Sequence, residues 1–404
     1  MADTPELVSI DDLEAAAKRL ADVAVRTPVE ESRAVSEAAG MRAVLKCEHL
    51  QRTGSFKLRG AYNRIVGMSE EERARGVVCA SAGNHAQGVA LAARILGVRA
   101  KVFMPTGAPL PKVEANRAYG ADVALVGDSF DDAYAASREW ADEHGGTYVH
   151  PFDHCDIIAG QGTVGLEILE QVPDVGSVVV PVGGGGLISG VATAIKSRRP
   201  SARVIGVEPA GAAGMAAALA AGAPQPLEQV STIADGLAAK TAGALTLAHV
   251  QQRVDEVVTV PDEVIAKAVL LLVERAKQVV EPAGAAGLAA LMAGAGQLAE
   301  PVVVILSGGN VDPLLLLRIL QSGLGEEGRY LAFRTRIDDR PGSLSRLLGL
   351  LAEHGANVVA IEHHRLGTRL DLLQVEIQVE VETRGPDHIR QLVSALREHG
   401  YPIA

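Results

Sequence analysis

Short stretches of the chain hold residues whose types and spacing suit chemistry. In Thr53-Gly54-Ser55-Phe56-Lys57-Leu58-Arg59-Gly60 a lysine stands just downstream of a hydroxyl residue. If Ser55 caps a helix that begins at Phe56, Lys57 falls in the first turn, among free backbone N–H groups at the positive end of the helix dipole. Positive potential lowers the pKa of an amine, and only a neutral amine attacks an aldehyde, so this setting suits a Schiff-base lysine. Read alone, Lys57 is better taken as a solvated surface residue, as roughly nine in ten lysines near a helix start are.

An apolar run, Val178-Val179-Val180-Pro181-Val182, leads into Gly183-Gly184-Gly185-Gly186-Leu187 and then a helical pattern. Without Cβ atoms the backbone can close on an anion, and loop N–H groups with a helix N-terminus can bind a phosphate dianion. No Gly-Lys-Ser/Thr follows and the strict dinucleotide spacing is absent, so neither standard nucleotide loop is matched. A tight structural turn is the other reading. Ser81-Ala82-Gly83-Asn84-His85-Ala86-Gln87-Gly88 follows the apolar run Val77 to Ala80. A strand-to-helix turn there points N–H groups and the Ser81 hydroxyl into a crevice where a substrate carboxylate could sit, and Asn84 can donate to a phenolate oxygen. The plainer alternative has Ser81 or Asn84 capping the helix and His85 as a satisfied turn histidine. Finally, Ser307-Gly308-Gly309-Asn310 follows Val302 to Leu306, placing a hydroxyl at a strand end where it could hydrogen-bond a heteroaromatic nitrogen.

The elements that must position these groups alternate. Strands are predicted at Ala43–Lys46, Val77–Ala80, Lys101–Met104, Asp122–Val126, Ser177–Val182, Val204–Val207 and Val302–Leu306, separated by Ala- and Leu-rich helical stretches. Continuous apolar runs indicate strands covered on both faces, hence an α/β doubly wound core with parallel sheets. Gly323 to Gly328 reads as a linker. Beyond it the order changes to strand Arg329–Ile337, helix Ser343–His354, strands Val358–His363 and Leu372–Val381, helix Pro386–His399 and a short last strand, which is ferredoxin-like. In the fourth of these elements Val375, Ile377, Val379 and Val381 alternate with polar residues, as in a one-sided antiparallel sheet.

Composition bounds the function. The 404 residues, 48% hydrophobic and 22% charged, suit about two or three packed domains. The net charge of −11 disfavours nucleic acid or an anionic membrane surface as partner. Residues 329–404 carry 10 basic and 10 acidic side chains, so the whole excess lies before them. Cys47, Cys79 and Cys155 are too few and too far apart for a disulfide framework or a zinc pattern, and with no basic-then-apolar leader the expected place is the cytoplasm. The uncharged stretches near 178–195, 209–227 and 282–299 are rich in Gly, Ala and Pro and read as buried soluble segments.

In this order and combination, the stretches resemble the fold-type II pyridoxal-phosphate (PLP) enzymes, and most closely the threonine ammonia-lyases, or threonine dehydratases, over about residues 5–320. The resemblance implies two subdomains with parallel sheets of the tryptophan-synthase-β kind, within a catalytic domain 1–322 whose smaller subdomain, about 54–155, is inserted in the larger. It implies that Lys57 carries PLP and moves the substrate Cα proton. Phe56 would flank the ring, Asn84 would meet its hydroxyl, Gly183, Gly184, Gly185, Gly186 and Leu187 would hold the phosphate, and Ser307 would face the ring nitrogen. Gly236 in Ala234-Asp235-Gly236 and Glu281 in Glu281-Pro282-Ala283-Gly284 match pocket-lining positions, and Ser81, Ala82, Gly83, Asn84 and His85 the substrate loop. A neutral Ser307 hydroxyl does not hold a proton on the ring nitrogen, which favours β-elimination over transamination. Racemases of this kind carry a second serine where this chain has Ala82. Glu208 matches a metal-ligand position of related enzymes, but Gly214 replaces the second acidic ligand, so no divalent metal is expected.

After the linker, 329–404 resembles an ACT regulatory domain through Asp339-Arg340-Pro341-Gly342-Ser343-Leu344 and Asn357. Arg340, Gly342, Ser343, Leu344 and Asn357 then form the expected effector site, with isoleucine or valine as ligand, although Pro341-Gly342 also suits a plain turn and Ser343 a cap. The implied reaction converts an amino-acid substrate, L-threonine, to 2-oxobutanoate and ammonia, with serine giving pyruvate as a side activity, in a homo-oligomer, a tetramer. The alternatives are a serine racemase or serine dehydratase, a non-catalytic amino-acid sensor, and a nucleotide binder using Gly183 to Gly186.

Overall fold

Consecutive valines and isoleucines form strands with both faces covered. The computed structural model describes residues 6–365 and 373–403, in two units divided between Asp312 and Pro313. Strands of the first unit are β1 Val29–Glu31, β2 Ala43–Lys46, β3 Val77–Ala80, β4 Ala100–Met104, β5 Asp122–Leu125, β6 Thr147–Tyr148, β7 Ser177–Pro181, β8 Arg203–Pro209, β9 Glu256–Val260 and β10 Val302–Ile305. They make one sheet in the order β1-β2-β10-β7-β8-β9 and another in the order β5-β4-β3-β6. Apart from the antiparallel β1–β2 pair, all these pairings are parallel. In register, Val302 stands opposite both Ala43 and Ser177. The carboxyl ends of β2, β10 and β7 are therefore level, and the loops that follow them leave one edge together.

All the expected strands of this unit form. The additional ones, β1, β6 and β9, each lie at a sheet edge. An edge strand is covered less and needs no continuous apolar run, which is why Val29-Glu30-Glu31 and the two-residue Thr147-Tyr148 carried little signal.

A buried ionic cluster ties the helix Lys57–Val66 to its surroundings. Arg59, 1% exposed, donates through Nε and Nη2 to Glu48 at 2.9 and 2.8 Å and through Nη1 to Glu167 at 2.6 Å. Lys46 of β2 reaches the other Glu167 oxygen at 2.5 Å. Glu167 belongs to the helix Cys155–Gln171, so one cluster joins two helices and a strand just behind Lys57. Among the described residues no helix is long and apolar enough to cross a membrane.

The second unit contains the helix Pro313–Glu326, β11 Tyr330–Asp338, the helix Ser343–Glu353, β12 Asn357–His364, β13 Gln374–Glu382 and the helix Pro386–Glu398. Its antiparallel sheet runs β11-β13-β12. Val375, Ile377, Val379 and Val381 are buried between half-exposed neighbours, as alternation predicted. Two expectations change. The stretch read as a linker, 323–328, is helical as far as Glu326, because the Leu314-to-Leu317 run and Ile319-Leu320 start a helix that the isolated glycines do not stop; Gly328, at φ 70°, makes the turn into β11. The strand expected after residue 399 is absent among residues 401–403, where Tyr401 and Ile403 instead lie against the unit's apolar core. Leu372, the expected start of β13, lies outside the described residues.

Removing one member of a buried ion pair leaves the other charge uncompensated. Arg59→Met should therefore destabilise the protein by about 3–5 kcal/mol, read as a lower urea midpoint; an unchanged midpoint would take the cluster out of the stability account.

Candidate active site

Lys57 opens the helix Lys57–Val66, as expected, but the cap differs. Phe56 occupies the N-cap in helical conformation and no side chain closes the helix end. Ser55 is instead drawn into an extended bridge with Gly308, Phe56 N–H donates to Ser307 O at 3.2 Å, and the buried Ser55 hydroxyl has no partner among the described residues. The strand-end loop of β10 thus sets how the chain enters this helix. Lys57 Nζ donates to Pro151 O at 2.9 Å and lies 5.2 Å from the centre of the Phe56 ring. Burial lowers its pKa to about 8, against the opposing pull of the Glu281 charge. Desolvation rather than the helix end is the main cause.

The glycine stretch follows β7 and opens the helix Gly186–Arg198, with Gly185 at φ 93° as its cap. A Cβ on Gly184 would fall 2.2 Å from the Phe152 ring, one on Gly185 2.6 Å from Met215 Cε, and one on Gly186 3.0 Å from Phe152 Cβ. The loop carbonyls are held from outside: Thr246 Oγ1 donates to Gly184 O and Ser189 Oγ to Gly185 O, each at 2.7 Å. Asp153 accepts from Leu245 and Thr246 N–H, both at 3.0 Å, and so fixes the helix that presents Thr246. Among the described residues the N–H groups of Gly183 to Leu187 have no backbone partner. Free N–H groups in a loop with no room for side chains form a receptor for a phosphate dianion.

The third stretch lies between β3 and the helix Asn84–Ile95, whose cap is Gly83, with no side chain closing it. Ser81 Oγ accepts from Gly83 N–H at 3.1 Å. Asn84 is not a cap either: its Nδ2 donates to Glu281 Oε1 at 2.6 Å and its Oδ1 accepts from Asn310 Nδ2 at 2.7 Å. Ala82 lies against the apolar core of the smaller sheet. The His85 ring is committed away from the substrate loop. It is buried, is bonded to Val149 O at 2.8 Å, and burial pushes its pKa down to about 3, so only the His85 backbone can serve a ligand.

Glu281 is 4% exposed, and burial with the nearby Asp235 charge raises its pKa to about 7. A Cβ on Gly236 would stand 2.9 Å from Ala283 Cβ and 3.7 Å from Glu281 Oε1, which puts Gly236 on the same wall. Ser307 is 4% exposed. The structure therefore brings Phe56, Lys57, Asn84, Gly236, Glu281 and Ser307 to one crevice, with the Gly183–Leu187 loop joined to Lys57 through the Pro151-Phe152 segment. Sequence reasoning missed Pro151, Phe152, Asp153 and Thr246. The first three follow the two-residue strand β6, too short to announce a strand-end loop, and no local signal marks Thr246. Glu208, weighed as a metal-ligand position, commits both oxygens to Met215 and Ala216 N–H, at 2.7 and 2.8 Å.

In the second unit, Gly342, at φ 87°, caps the helix Ser343–Glu353. Ser343 N–H donates to Arg340 O at 3.2 Å and Ser343 Oγ accepts from Arg346 at 3.1 Å, while Leu344 is partly buried. Asn357 does not join them. Register places Asn357 and Tyr330 against Glu382, whereas Asp338, which leads into the Arg340 loop, stands against Gln374. Asn357 is thus at the other end of β13, where it donates to Glu382 at 3.0 Å, and a single unit does not gather the expected effector residues into one site.

Fold and site set a buried lysine and a glycine loop with free N–H groups within one α/β unit, and the chain belongs to the pyridoxal-phosphate dependent enzyme family, whose sequence pattern matches residues 20–308. An ACT domain pattern matches residues 333–400. The chain is 47% identical over 397 residues to an L-threonine ammonia-lyase of Thermotoga maritima, covering 98% of this chain and 99% of that one. It is 46% identical over 379 residues to an L-threonine ammonia-lyase of Geobacter sulfurreducens, covering 94% of each. Among solved structures, threonine deaminase isoform 2 of Solanum lycopersicum is 40% identical with a TM-score of 0.73, covering 79% of this chain and 95% of that one. Maize serine racemase is 38% identical with the same TM-score of 0.73, covering 80% and 100%. The chain is thus a PLP-dependent lyase with a C-terminal ACT domain.

Overpacking a tight site costs about 1–3 kcal/mol, so Gly184→Ala should weaken PLP binding by about 10- to 100-fold, with partial recovery when Phe152→Ala makes room; equilibrium dialysis reads both. With a pKa of about 8, about one Lys57 amine in ten is neutral at pH 7, against about one in three thousand for a solvated lysine. Because the neutral amine is the nucleophile, the rate at which apoprotein takes up PLP, followed by visible absorbance, should rise up to about pH 8 and then level. A rate still climbing at pH 10 would return Lys57 to the solvated range.

Proposed function

We propose that this chain dehydrates and deaminates L-threonine to 2-oxobutanoate and ammonia, with L-serine giving pyruvate as a side activity. The observation that carries this reading is the Lys57 amine, its pKa lowered to about 8, in one crevice with Asn84 and Ser307 and joined through Pro151-Phe152 to the glycine loop. Kinship with L-threonine ammonia-lyases over nearly the whole chain supports the substrate. Bound PLP supplies an aldehyde carbon and a conjugated ring that takes up the charge left at Cα. Lys57 Nζ would hold the cofactor's aldehyde carbon and, when free, would be the base for the Cα proton. The Gly183-to-Leu187 N–H groups hold the phosphate and so fix the cofactor's position, and Asn84 donates to its hydroxyl. The Ser81-to-His85 loop would meet the substrate carboxylate through the N–H groups of Ala82, Asn84 and His85, since Ser81 N–H donates to Phe103 O and Gly83 N–H to Ser81 Oγ. Ser307 would face the ring nitrogen with a neutral hydroxyl, which unlike a carboxylate would not hold a proton there, and this favours departure of the β-hydroxyl. Loss of water across Cα–Cβ, tautomerisation, and replacement of nitrogen by water complete the balance.

The solved serine racemase has the same fold at the same TM-score, so the fold does not separate racemase from lyase. Residue 82 does, on this reading: an alanine methyl carries no exchangeable proton for the opposite face. Regulation by isoleucine or valine through Arg340, Gly342, Ser343, Leu344 and Asn357, a homotetramer and a cytoplasmic location belong to the same proposal. Because Asn357 stands at the far end of the sheet from Arg340, such an effector site draws on two ACT units.

Purified holoenzyme given L-threonine should release 2-oxobutanoate and ammonia without forming D-amino acids, and Lys57→Ala should lower turnover by about a thousandfold or more. Isoleucine or valine should change that rate, and Arg340→Ala should blunt the response. Full turnover by Lys57→Ala, or D-serine as the main product from L-serine, would overturn the assignment.

A further inference from the structure

A side-chain amide can turn by half a revolution with no change of shape, exchanging its donor and acceptor ends, so its orientation is decided by its neighbours. Asn84 is such an amide, half-buried beside Glu281. Its Oδ1 meets Asn310 Nδ2 at 2.7 Å, and the same Asn310 nitrogen donates to the backbone oxygen of Thr53 at 2.7 Å. A backbone carbonyl can only accept. Thr53 O therefore fixes the donor end of Asn310, and the second hydrogen of that nitrogen fixes the acceptor end of Asn84. Asn84 is left with Nδ2 toward Glu281 Oε1, at 2.6 Å. The chain runs one way, from the Thr53 carbonyl through Asn310 and Asn84 to Glu281, and it crosses all the strand-end and helix-start motifs except the glycine loop.

Asn310 is itself held by shape. A Cβ on Gly54 would fall 2.4 Å from Asn310 Oδ1, and Gly54 has φ 71°, a conformation other residues rarely adopt. Gly309 N–H donates to Gly54 O at 2.9 Å, pinning the two loops together. Of the two hydrogens on Asn84 Nδ2, one is directed to Glu281; the other has no partner among the described residues.

We infer that Asn310 is a positioning residue, which holds the Asn84 amide in the one orientation that presents an N–H donor to pyridoxal phosphate. The inference rests on the reading of Asn84 as the amide that meets the cofactor hydroxyl. Glu281 reinforces it, because a flipped Asn84 would turn its carbonyl toward a carboxylate while turning its NH2 toward another NH2.

The test is made on the full-length holoenzyme, reading the PLP dissociation constant and the pH midpoint of the bound cofactor's visible absorbance. Asn310→Asp keeps the shape but offers only acceptors to Thr53 O and Asn84, which drives Asn84 to flip. Affinity for PLP should fall about tenfold or more, as expected for a lost hydrogen bond to a charged group, and the absorbance midpoint should move. Adding Glu281→Gln should restore the urea midpoint but neither affinity nor absorbance midpoint, since the glutamine amide donates to the flipped Asn84 carbonyl and so holds the flip; a merely structural loss would recover affinity together with stability. Asn310→Ser, which removes the reach without adding charge and covers the case in which Asn310→Asp does not fold, should weaken PLP binding without rescue by Glu281→Gln. Unchanged affinity and midpoint in Asn310→Asp, or recovery of affinity in the double variant, overturns the inference. Asn84→Ala separates the two layers. If it weakens PLP binding while Asn310→Asp does not, only the positioning role fails; if it binds PLP as the native chain does, the reading of Asn84 fails with it.

Discussion

An amine attacks a carbonyl only when it carries no proton, and at neutral pH lysine reaches that state only where its ammonium is poorly solvated. The crevice around Lys57 meets this requirement mainly by excluding water, with Pro151 O taking one of the amine's hydrogens. Much of the first unit serves that exclusion. The edge at which β2, β7 and β10 end level delivers Ser307 and the glycine loop to the same side, the end of β3 brings Asn84 to Glu281, and the smaller sheet's Pro151-Phe152 segment lies across both the amine and the loop.

Such a crevice is costly to build from polar parts unless each is answered. Two devices answer them. Behind the helix that bears Lys57, Arg59, Glu48, Glu167 and Lys46 neutralise one another in near-complete burial. In front of it, the amides of Asn310 and Asn84 pass a hydrogen-bond direction from the Thr53 backbone to Glu281. The first device holds the helix in place and the second gives the Asn84 amide a definite orientation. Both act through groups far apart in the chain, and neither could be built by a local motif.

Much of this was legible beforehand, for reasons that can be stated residue by residue. Val178-Val179-Val180 and Val302 to Ile305 form central strands because strands covered on both faces need unbroken apolar runs. Lys57 and the Gly183-to-Leu187 loop stand out because their chemistry depends on a helix start and on missing side chains, both local properties. Edge strands such as β1 and β6 were hidden because a half-covered strand imposes no such run. The 323–328 stretch looked flexible by composition, yet the preceding leucines carry their helix through it. Ser55 looked like a cap because sequence shows a hydroxyl before a helix but not the bridge to Gly308 that takes its backbone elsewhere.

The sequence by itself determined the alternation of strands and helices, the helix start at Lys57, the glycine loop after β7, and the change to a second, one-sided sheet, since each depends on residues within a few positions of one another. Only the tertiary structure decided why the Lys57 pKa falls, which way Asn84 faces, that His85 belongs to the core, that Phe152 closes over the glycines, and that Asn357 stands apart from the Arg340 loop. Desolvation, amide orientation and strand register are set by groups tens or hundreds of residues away, and a linear pattern carries no distance between such groups until the chain has folded.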